Sequence, residues 1–275
     1  LPAPVLAAEG LSLAHGRHQV VHELDLRIEP GVLTALVGPN GSGKTTVLRG
    51  LAGLLKPAAG SVTLDGTPLL ELRPRERARL VAYLPQSPVV PVGLSVREVV
   101  ELGRHPHRGW FGGERGEPAV VTPVSVDDAL EAAGVATLAT RPIEQVSGGE
   151  RQRVWLATAL AQSTPILLLD EPTTFLDVRH QLDLLALLRE QVDRHGRTVV
   201  GVFHDLNHAV THADQVVALA AGRVVAAGAP VDVMSSPALP DAFEVEVIVG
   251  TDPADGAPIC FFRRRTAPAD PSPET

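Results

Sequence analysis

The chain has 275 residues, 44% of them hydrophobic and 20% charged, which suits one large α/β domain or one core with an inserted subdomain. Its 24 basic and 32 acidic residues give a net charge of −8, where a nucleic-acid reader would carry a basic surplus. No apolar run reaches the ~18 residues of a membrane-spanning helix, so any membrane role is expected to run through a partner.

The chain opens on Leu1-Pro2-Ala3-Pro4, without the basic start and apolar core of a secretion signal. Residues 5–30 read as β, with short apolar runs at Val5-Leu6-Ala7 and Leu11-Ser12-Leu13 and clean alternation from His22 to Ile28. Pro30-Gly31 is a turn. A β-rich segment here gives a nucleotide base something to lie on, and His15 is the candidate ring. The alternative for His15 is an exposed turn histidine. An apolar strand, Leu33 to Val37, leads into Gly38-Pro39-Asn40-Gly41-Ser42-Gly43-Lys44-Thr45-Thr46, which matches G-x-x-x-x-G-K-[ST]. Glycines let the backbone wrap an anion with its amide N–H groups pointing inward, and the following helix adds its positive end. Lys44 supplies charge for the β- and γ-phosphates, and the Thr45 hydroxyl suits Mg²⁺. The chain is therefore expected to bind a nucleoside triphosphate. The helix after the loop is predicted through Val47, Leu48, Leu51 and Leu54.

Lys56 to Gly60 breaks that pattern, and Ser61 to Gly66 is a strand ending in a turn. A helical stretch from Arg73 to Leu80 precedes the strand Val81-Ala82-Tyr83-Leu84, which stops at Pro85. Gln86 follows, where an amide oxygen can reach a metal or a water. Residues 87–146 change character and read as helical. Ser95 with Glu98 forms a capping box, and a second helix over 127–133 closes at Gly134. Trp110 and Phe111, adjacent in a glycine-rich loop, either pack locally or contact a partner. Ser147-Gly148-Gly149-Glu150 opens a further helix, with Ser147 as N-cap and two glycines leaving N–H groups bare, a second anion site. One nucleotide facing two such loops is met most simply by a head-to-tail dimer.

Ile166-Leu167-Leu168-Leu169-Asp170-Glu171 reads as a buried parallel strand with two acids at its C-terminal end, the edge where open α/β sheets bind ligands. Asp170 suits the metal role and Glu171 that of a base toward the attacking water. Asp177 is a candidate N-cap for a helix spaced Val178, Leu182, Leu185, Leu188, Val192. Thr198 to Phe203 is the next buried strand, and His204 at its end can contact a γ-phosphate. Val216 to Leu219 and Arg223 to Ala226 flank a hairpin turn at Ala221-Gly222, residues 229–236 read as a short helix, and Val245 to Val249 with Pro258 to Phe262 make a terminal β pair. That pair holds Cys260, the one cysteine, which excludes an internal disulfide and a cysteine-built metal site and fits a reducing cytosol. From 266 to 275, proline and small polar residues point to a disordered tail.

In this order the motifs resemble the ATP-binding cassette (ABC) ATPases of membrane transporters over about residues 5–265. Residues 38–46 correspond to Walker A and 166–170 to Walker B, Gln86 to the Q-loop, Ser147-Gly148-Gly149-Glu150 to the family signature (with Val146 where leucine is usual), Leu176-Asp177 to the D-loop and His204 to the H-switch. The resemblance implies an α/β fold with a P-loop RecA-like core, an N-terminal antiparallel β subdomain and an α-helical subdomain inserted at 87–165, all in one domain over 1–265. It implies ATP and Mg²⁺ as ligands, with Thr45, Gln86 and Asp170 around the metal, Glu171 as general base and His204 as γ-phosphate sensor. It further implies a head-to-tail homodimer in which each ATP lies between residues 38–46 of one copy and Ser147 and Gly149 of the other, with Asp177 communicating across. Integral membrane permeases on the cytoplasmic face are the implied partners, and a substrate-binding protein an indirect one. The family usually carries an aromatic such as tyrosine where His15 stands. Tyr83-Leu84-Pro85-Gln86, Asp170-Glu171-Pro172-Thr173-Thr174-Phe175-Leu176-Asp177 and Phe203-His204-Asp205-Leu206-Asn207 resemble the importers for ferric siderophores, haem and vitamin B12, and Ala257-Pro258-Ile259-Cys260 the ferric-siderophore members, ferric citrate included, so that uptake of an iron(III) chelate (siderophore or ferric citrate) is the implied function, with haem and vitamin B12 import as alternatives. Behind these stands a non-transport ABC ATPase acting on DNA or ribosomes. No sustained heptads separate the two Walker motifs, as the DNA-acting members usually show, and the chain has one cassette where ribosome-acting members carry two.

Overall fold

The computed structural model describes residues 3–107, 122–254 and 256–265. Trp110, Phe111 and the expected tail at 266–275 lie outside the described residues. The chain begins as a hairpin of β1 (Leu6–His15) and β2 (His18–Ile28), antiparallel and interrupted by register shifts between Ala8 and Ala14. Next come β3 (Leu33–Val37), α1 (Lys44–Leu51), β4 (Ala59–Leu64) and the short β5 (Thr67–Pro68). β4 pairs with β1, which gives a four-stranded antiparallel sheet in the order β2-β1-β4-β5. α2 (Pro74–Leu80) and β6 (Val81–Leu84) follow, then α3 (Val96–Leu102), α4 (Val126–Ala132) and α5 (Gly148–Ala161). Between β6 and β7 (Ile166–Leu169), the described residues form helices, 3₁₀ turns and loops, with one isolated bridge between Ser95 and Pro142. The chain ends through α6 (Val178–Asp193), β8 (Thr198–Val202), α7 (Leu206–His212), β9 (Gln215–Ala220), β10 (Arg223–Gly228), α8 (Pro230–Met234), α9 (Ala238–Phe243), β11 (Val245–Thr251) and β12 (Pro258–Arg264).

The second sheet has the order β10-β9-β3-β8-β7-β6 and is parallel except for the antiparallel edge strand β10. Every residue of β3, β7 and β8 is buried. That matches their unbroken apolar sequences, since a parallel sheet is covered on both faces. Successive residues point to opposite faces. Leu36, Leu168, Val200 and Val202 pack with α1 and the antiparallel sheet. Ala35, Leu167, Leu169 and Val199 pack with α5, α6 and the helices between β6 and β7. Because β3, β6, β7 and β8 run the same way, Gly38, Gln86, Asp170 and His204 all emerge at one edge of the sheet. The chain is thus an α/β cassette, an antiparallel β layer and a parallel core with helices packed against it.

Three sequence expectations shift. The apolar spacing after the phosphate loop runs on to Leu54, but α1 ends at Leu51 and Leu54 is exposed. Gly53 takes a left-handed conformation (φ 66°) and the Leu54 N–H bonds back to the Arg49 carbonyl, so a glycine termination overrides the spacing. In α6, Val178 and Leu182 are exposed, and the buried stripe is Leu184, Leu185, Leu187, Leu188 and Val192. The helix starts beyond the core, so its first apolar turns point outward. The short helix expected over 229–236 is α8, and a second helix, α9, follows it directly.

Candidate active site

The loop at 38–43 leaves the central strand β3 and enters α1 without a side-chain cap. Gly43 holds the N-cap position at φ 97°, no side chain bonds to it, and the first turn of α1 has no acidic residue. The helix N-terminus thus keeps its N–H groups and positive end for an incoming anion. Ser42 Oγ is buried with no hydrogen-bond partner among the described residues. An orphaned hydroxyl beside bare N–H groups is the donor set a phosphate completes. The Lys44 side chain is buried and curls over the loop, donating from Nζ to the Gly38 and Pro39 carbonyls at 2.8 and 2.9 Å. Burial lowers its pKa, while Glu171 and Asp170 act to raise it. A cleft of about 190 Å³ is lined by Val20, Asn40, Gly41, Gly43, Lys44, Thr45, Thr46 and Glu171.

His15 is exposed at the β1–β2 turn, and its Nε2 lies 3.3 Å from Thr46 Oγ1 in the first turn of α1. The histidine therefore stands beside the phosphate loop, although it does not line the cleft.

At the end of β7, Asp170 is 1% exposed and both its oxygens are engaged. Oδ1 accepts from the Thr45 hydroxyl at 2.9 Å and Oδ2 from the Tyr83 hydroxyl at 3.2 Å. Burial pushes the Asp170 carboxyl up, and the hydrogen bonds from Thr45 and Tyr83 pull it down. Burial, together with the neighbouring Asp170, holds the Tyr83 phenol well above its usual value, so it remains a donor. Tyr83 enters the sequence reading only as part of a strand and of a branch motif, with no role at the site. Its β6 pairs in register with β7, Tyr83 opposite Leu168, and only that pairing carries its hydroxyl to the acid.

Glu171 takes a left-handed backbone conformation (φ 51°), unusual for a residue with a side chain and concentrated at functional sites. Its carboxylate is closed off. Oε2 accepts from Gln86 Nε2 at 2.5 Å and from the Thr174 hydroxyl at 3.2 Å, and Oε1 lies 2.6 Å from His204 Nε2. Gln86, expected to offer its amide oxygen to a metal or a water, here turns its amide nitrogen to Glu171. Lys44, Thr45, Asp170, Glu171, Gln86 and His204 thus meet at one strand edge. Thr45, Asp170 and Gln86 bring a hydroxyl, a carboxylate and an amide, hard oxygen donors of the kind Mg²⁺ takes.

A second group stands apart from this cleft. Ser147 caps α5 by a reciprocal pair of bonds with Glu150, and Gly148 is exposed. A Cβ placed on Gly149 would lie 3.4 Å from Leu176, so the signature loop rests on the segment carrying Asp177. Asp177 caps α6, accepting from the His180 N–H at 3.0 Å. Phe175, between these elements, is left-handed (φ 68°) and 72% exposed. None of Ser147, Gly148, Gly149 and Asp177 lines the phosphate-loop cleft of its own chain. No helix of the described residues is long and apolar enough to cross a membrane.

Three comparisons accompany this geometry. The family model described as ABC transporter matches residues 21–174. The iron(3+)-hydroxamate import ATP-binding protein FhuC of Bacillus subtilis is 42% identical over 256 residues, 93% of this chain and 94% of that protein. The cobalamin import ATP-binding protein BtuD of Halobacterium salinarum is 44% identical over 92% of this chain, which spans 62% of that longer protein. Among solved structures, the dimeric bacterial ABC transporter cassette MJ0796 superposes with a TM-score of 0.72 at 27% identity, covering 82% of this chain and 98% of that one.

Proposed function

The chain belongs to the ABC transporter family, whose cassettes bind ATP, and on that footing we propose that it is the ATP-hydrolysing subunit of an importer for an iron(III) chelate. The observation that carries the enzymatic part is the strand-edge cluster: a charged lysine inside an anion-ready loop, with Glu171 in the same cleft. In this reading the loop at 38–46 binds the triphosphate, with Lys44 released from the Gly38 and Pro39 carbonyls to the β- and γ-phosphates. Thr45 and Asp170, already in contact, would hold Mg²⁺ together with Gln86, and the bound ion would supply positive charge toward the phosphate oxygens. Glu171 takes the proton of a water whose oxygen attacks the γ-phosphorus as the bond to ADP breaks. His204 reports on the γ-phosphate. Its bond to Glu171 also means that the carboxylate must be freed before it can act.

Ser147, Gly148 and Gly149 lie outside their own chain's cleft, which supports a head-to-tail homodimer in which they close on the partner's nucleotide. Asp177 then lies at the junction. We assign residues 1–265 to one nucleotide-binding domain with a helical subdomain at about 87–165 within it, and His15 to the adenine side of the site. The partners are integral membrane permeases, and through them a binding protein, with the subunit peripheral on the cytoplasmic face. A ferric hydroxamate or similar siderophore is the favoured cargo, because the likeness to FhuC runs nearly end to end of both chains. Cobalamin is the second reading, on the likeness to BtuD.

The test is uptake of radiolabelled ferric hydroxamate, hemin and cobalamin by cells carrying either the wild-type chain or Glu171→Gln. The variant is expected to bind ATP and lose hydrolysis by about 10²–10⁴-fold. Loss of ferric hydroxamate uptake alone supports the proposal. Loss of cobalamin or hemin uptake instead moves the cargo, and ordinary hydrolysis by the variant removes Glu171 from the base role.

A further inference from the structure

The loop bearing His204 is fixed on both sides, and the second fixture is the C-terminal hairpin. On the β8 side, the Phe203 N–H bonds to the Leu36 carbonyl at 3.0 Å. On the other side, α7 begins at Leu206, with Asp205 capping it by accepting from the Asn207 N–H at 2.8 Å. The Asn207 side chain leaves α7 altogether. Its Oδ1 accepts from the Cys260 N–H at 2.7 Å and its Nδ2 donates to the Cys260 carbonyl at 3.3 Å. Cys260 lies mid-strand in β12, opposite Val249 of β11, and is 3% exposed.

The chemistry of this contact is specific. In an antiparallel pair, alternate residues turn their N–H and C=O away from the partner strand. Cys260 is such a residue, and its two groups are both met by one primary amide, which presents a donor and an acceptor in one plane as a peptide does. Asparagine thus acts as a one-residue third strand on the edge of the β11–β12 hairpin. An aspartate could accept from the N–H but not donate to the carbonyl, and an alanine could do neither. Because α7 is two turns long and starts two residues after His204, its first turn and the His204 loop move together.

We infer that Asn207 is a positioning residue for the ATPase reaction: by latching α7 onto Cys260 of the hairpin it sets where the His204 imidazole stands relative to Glu171 and the γ-phosphate. The hairpin is thereby a backstop for the switch histidine. This rests on the proposed role of His204, and the test separates the two. It is a double-mutant cycle on the full chain, with His204→Ala, Asn207→Ala and the combination, reading kcat and KM for ATP separately per nucleotide-binding site. His204→Ala is expected to abolish most hydrolysis. Asn207→Ala is expected to lower kcat by about 10-fold with KM within about twofold, since a misplaced catalytic group costs rate more than ground-state binding. In the His204→Ala background, Asn207→Ala is expected to change nothing further. A merely structural asparagine would reduce active sites in both backgrounds and leave kcat per site intact. Asn207→Asp, which keeps the bond to the Cys260 N–H, is expected to fall between wild type and alanine, and it carries the same cycle if the alanine variant folds poorly. Full hydrolysis by His204→Ala would sink the histidine's role and this inference with it. Loss in His204→Ala with wild-type kcat in both Asn207 variants, or equal losses in the two backgrounds, would overturn the inference alone.

Discussion

Gly103 lies just past the end of α3, with its α-carbon against the backbone of α5. A Cβ built there would sit 2.2 Å from the Thr158 carbonyl oxygen and 3.2 Å from its carbon. The backbone of Gly103 is ordinary right-handed helix (φ −58°), so Gly103→Ala carries no conformational penalty in the folded chain and its cost there is steric. Restoring an ordinary contact requires α3 and α5 to part by about 1 Å, at a junction where Val99, Val100, Leu156 and Leu160 are buried together. Overpacking of this kind costs about 1–3 kcal/mol. The lost freedom of the unfolded chain returns about 0.4–1 kcal/mol. Because the clash is with backbone, which cannot turn aside as a side chain can, the cost lies in the upper part of that range, about 2–3 kcal/mol, and the net is about 1–2.6 kcal/mol, or a fall in Tm of about 2–10 °C for a domain of this size. Gly148→Ala is the control, because nothing lies within 4 Å of its Cβ. It should leave Tm unchanged or slightly raised, yet depress hydrolysis, because the added methyl sits on the face proposed to meet the partner's nucleotide. Differential scanning fluorimetry and steady-state ATPase assays read both. Gly103→Ala should melt early while ATP binding at the phosphate loop stays within about twofold, since α1, which the loop enters, packs in the other core. An unchanged melt for Gly103→Ala would refute the close approach of α3 to α5. A large melting loss for Gly148→Ala would refute the claim that its surroundings are open.

Two further outcomes bear on the nucleotide and the dimer. Lys44→Met keeps the buried methylene stem but removes the ammonium, and equilibrium binding of ATP is expected to weaken by about 100-fold, in line with the loss of charge-assisted bonds of 1.5–3 kcal/mol each. Phe175→Ser and Val178→Ser alter side chains that are 72% and 73% exposed, so melting should hold. ATP-driven dimerisation in a Glu171→Gln background, followed by size-exclusion chromatography, should weaken by about 10-fold or more for the pair, because each buried apolar side chain contributes about 1.5–3 kcal/mol.

The parts of this molecule that sequence reveals are those whose chemistry is contiguous. The phosphate loop needs its glycines, lysine and threonine in one run, and a strand that ends in two acids announces an edge. That Asp170, His204 and Gln86 meet Lys44 follows from strand direction, since four buried apolar strands running in parallel can only present the same end. The contacts of Tyr83 and Asn207, which appear only within motifs, are not legible in the sequence for the opposite reason. Each acts on a residue far along the chain, Asp170 and Cys260, through a register that no local pattern encodes. Val178 and Leu182 show another limit. Helical periodicity says that two apolar residues share a face, but not whether that face meets the protein's own core or another surface, and here both side chains are half or more exposed.

The two clusters of functional residues are separate for a physical reason. Ser147 caps a helix that opens on Gly148 and Gly149, and Phe175 and Val178 leave exposed apolar surface on the neighbouring segment. Glu171, in the other cluster, lines the cleft but has both carboxylate oxygens engaged, by Gln86 and Thr174 on one and His204 on the other. In the proposed role of base, Glu171 held this way would act only once something competes for its donors. A γ-phosphate that draws His204 away, and a partner loop that shifts the segment from Glu171 to Asp177, would each remove a bond from that carboxylate. Hydrolysis would then wait for both the nucleotide and the second chain. Free subunits should accordingly hydrolyse ATP with a rate per chain that rises with protein concentration. A rate per chain that stays constant across a wide dilution series would show that one chain alone can free its base.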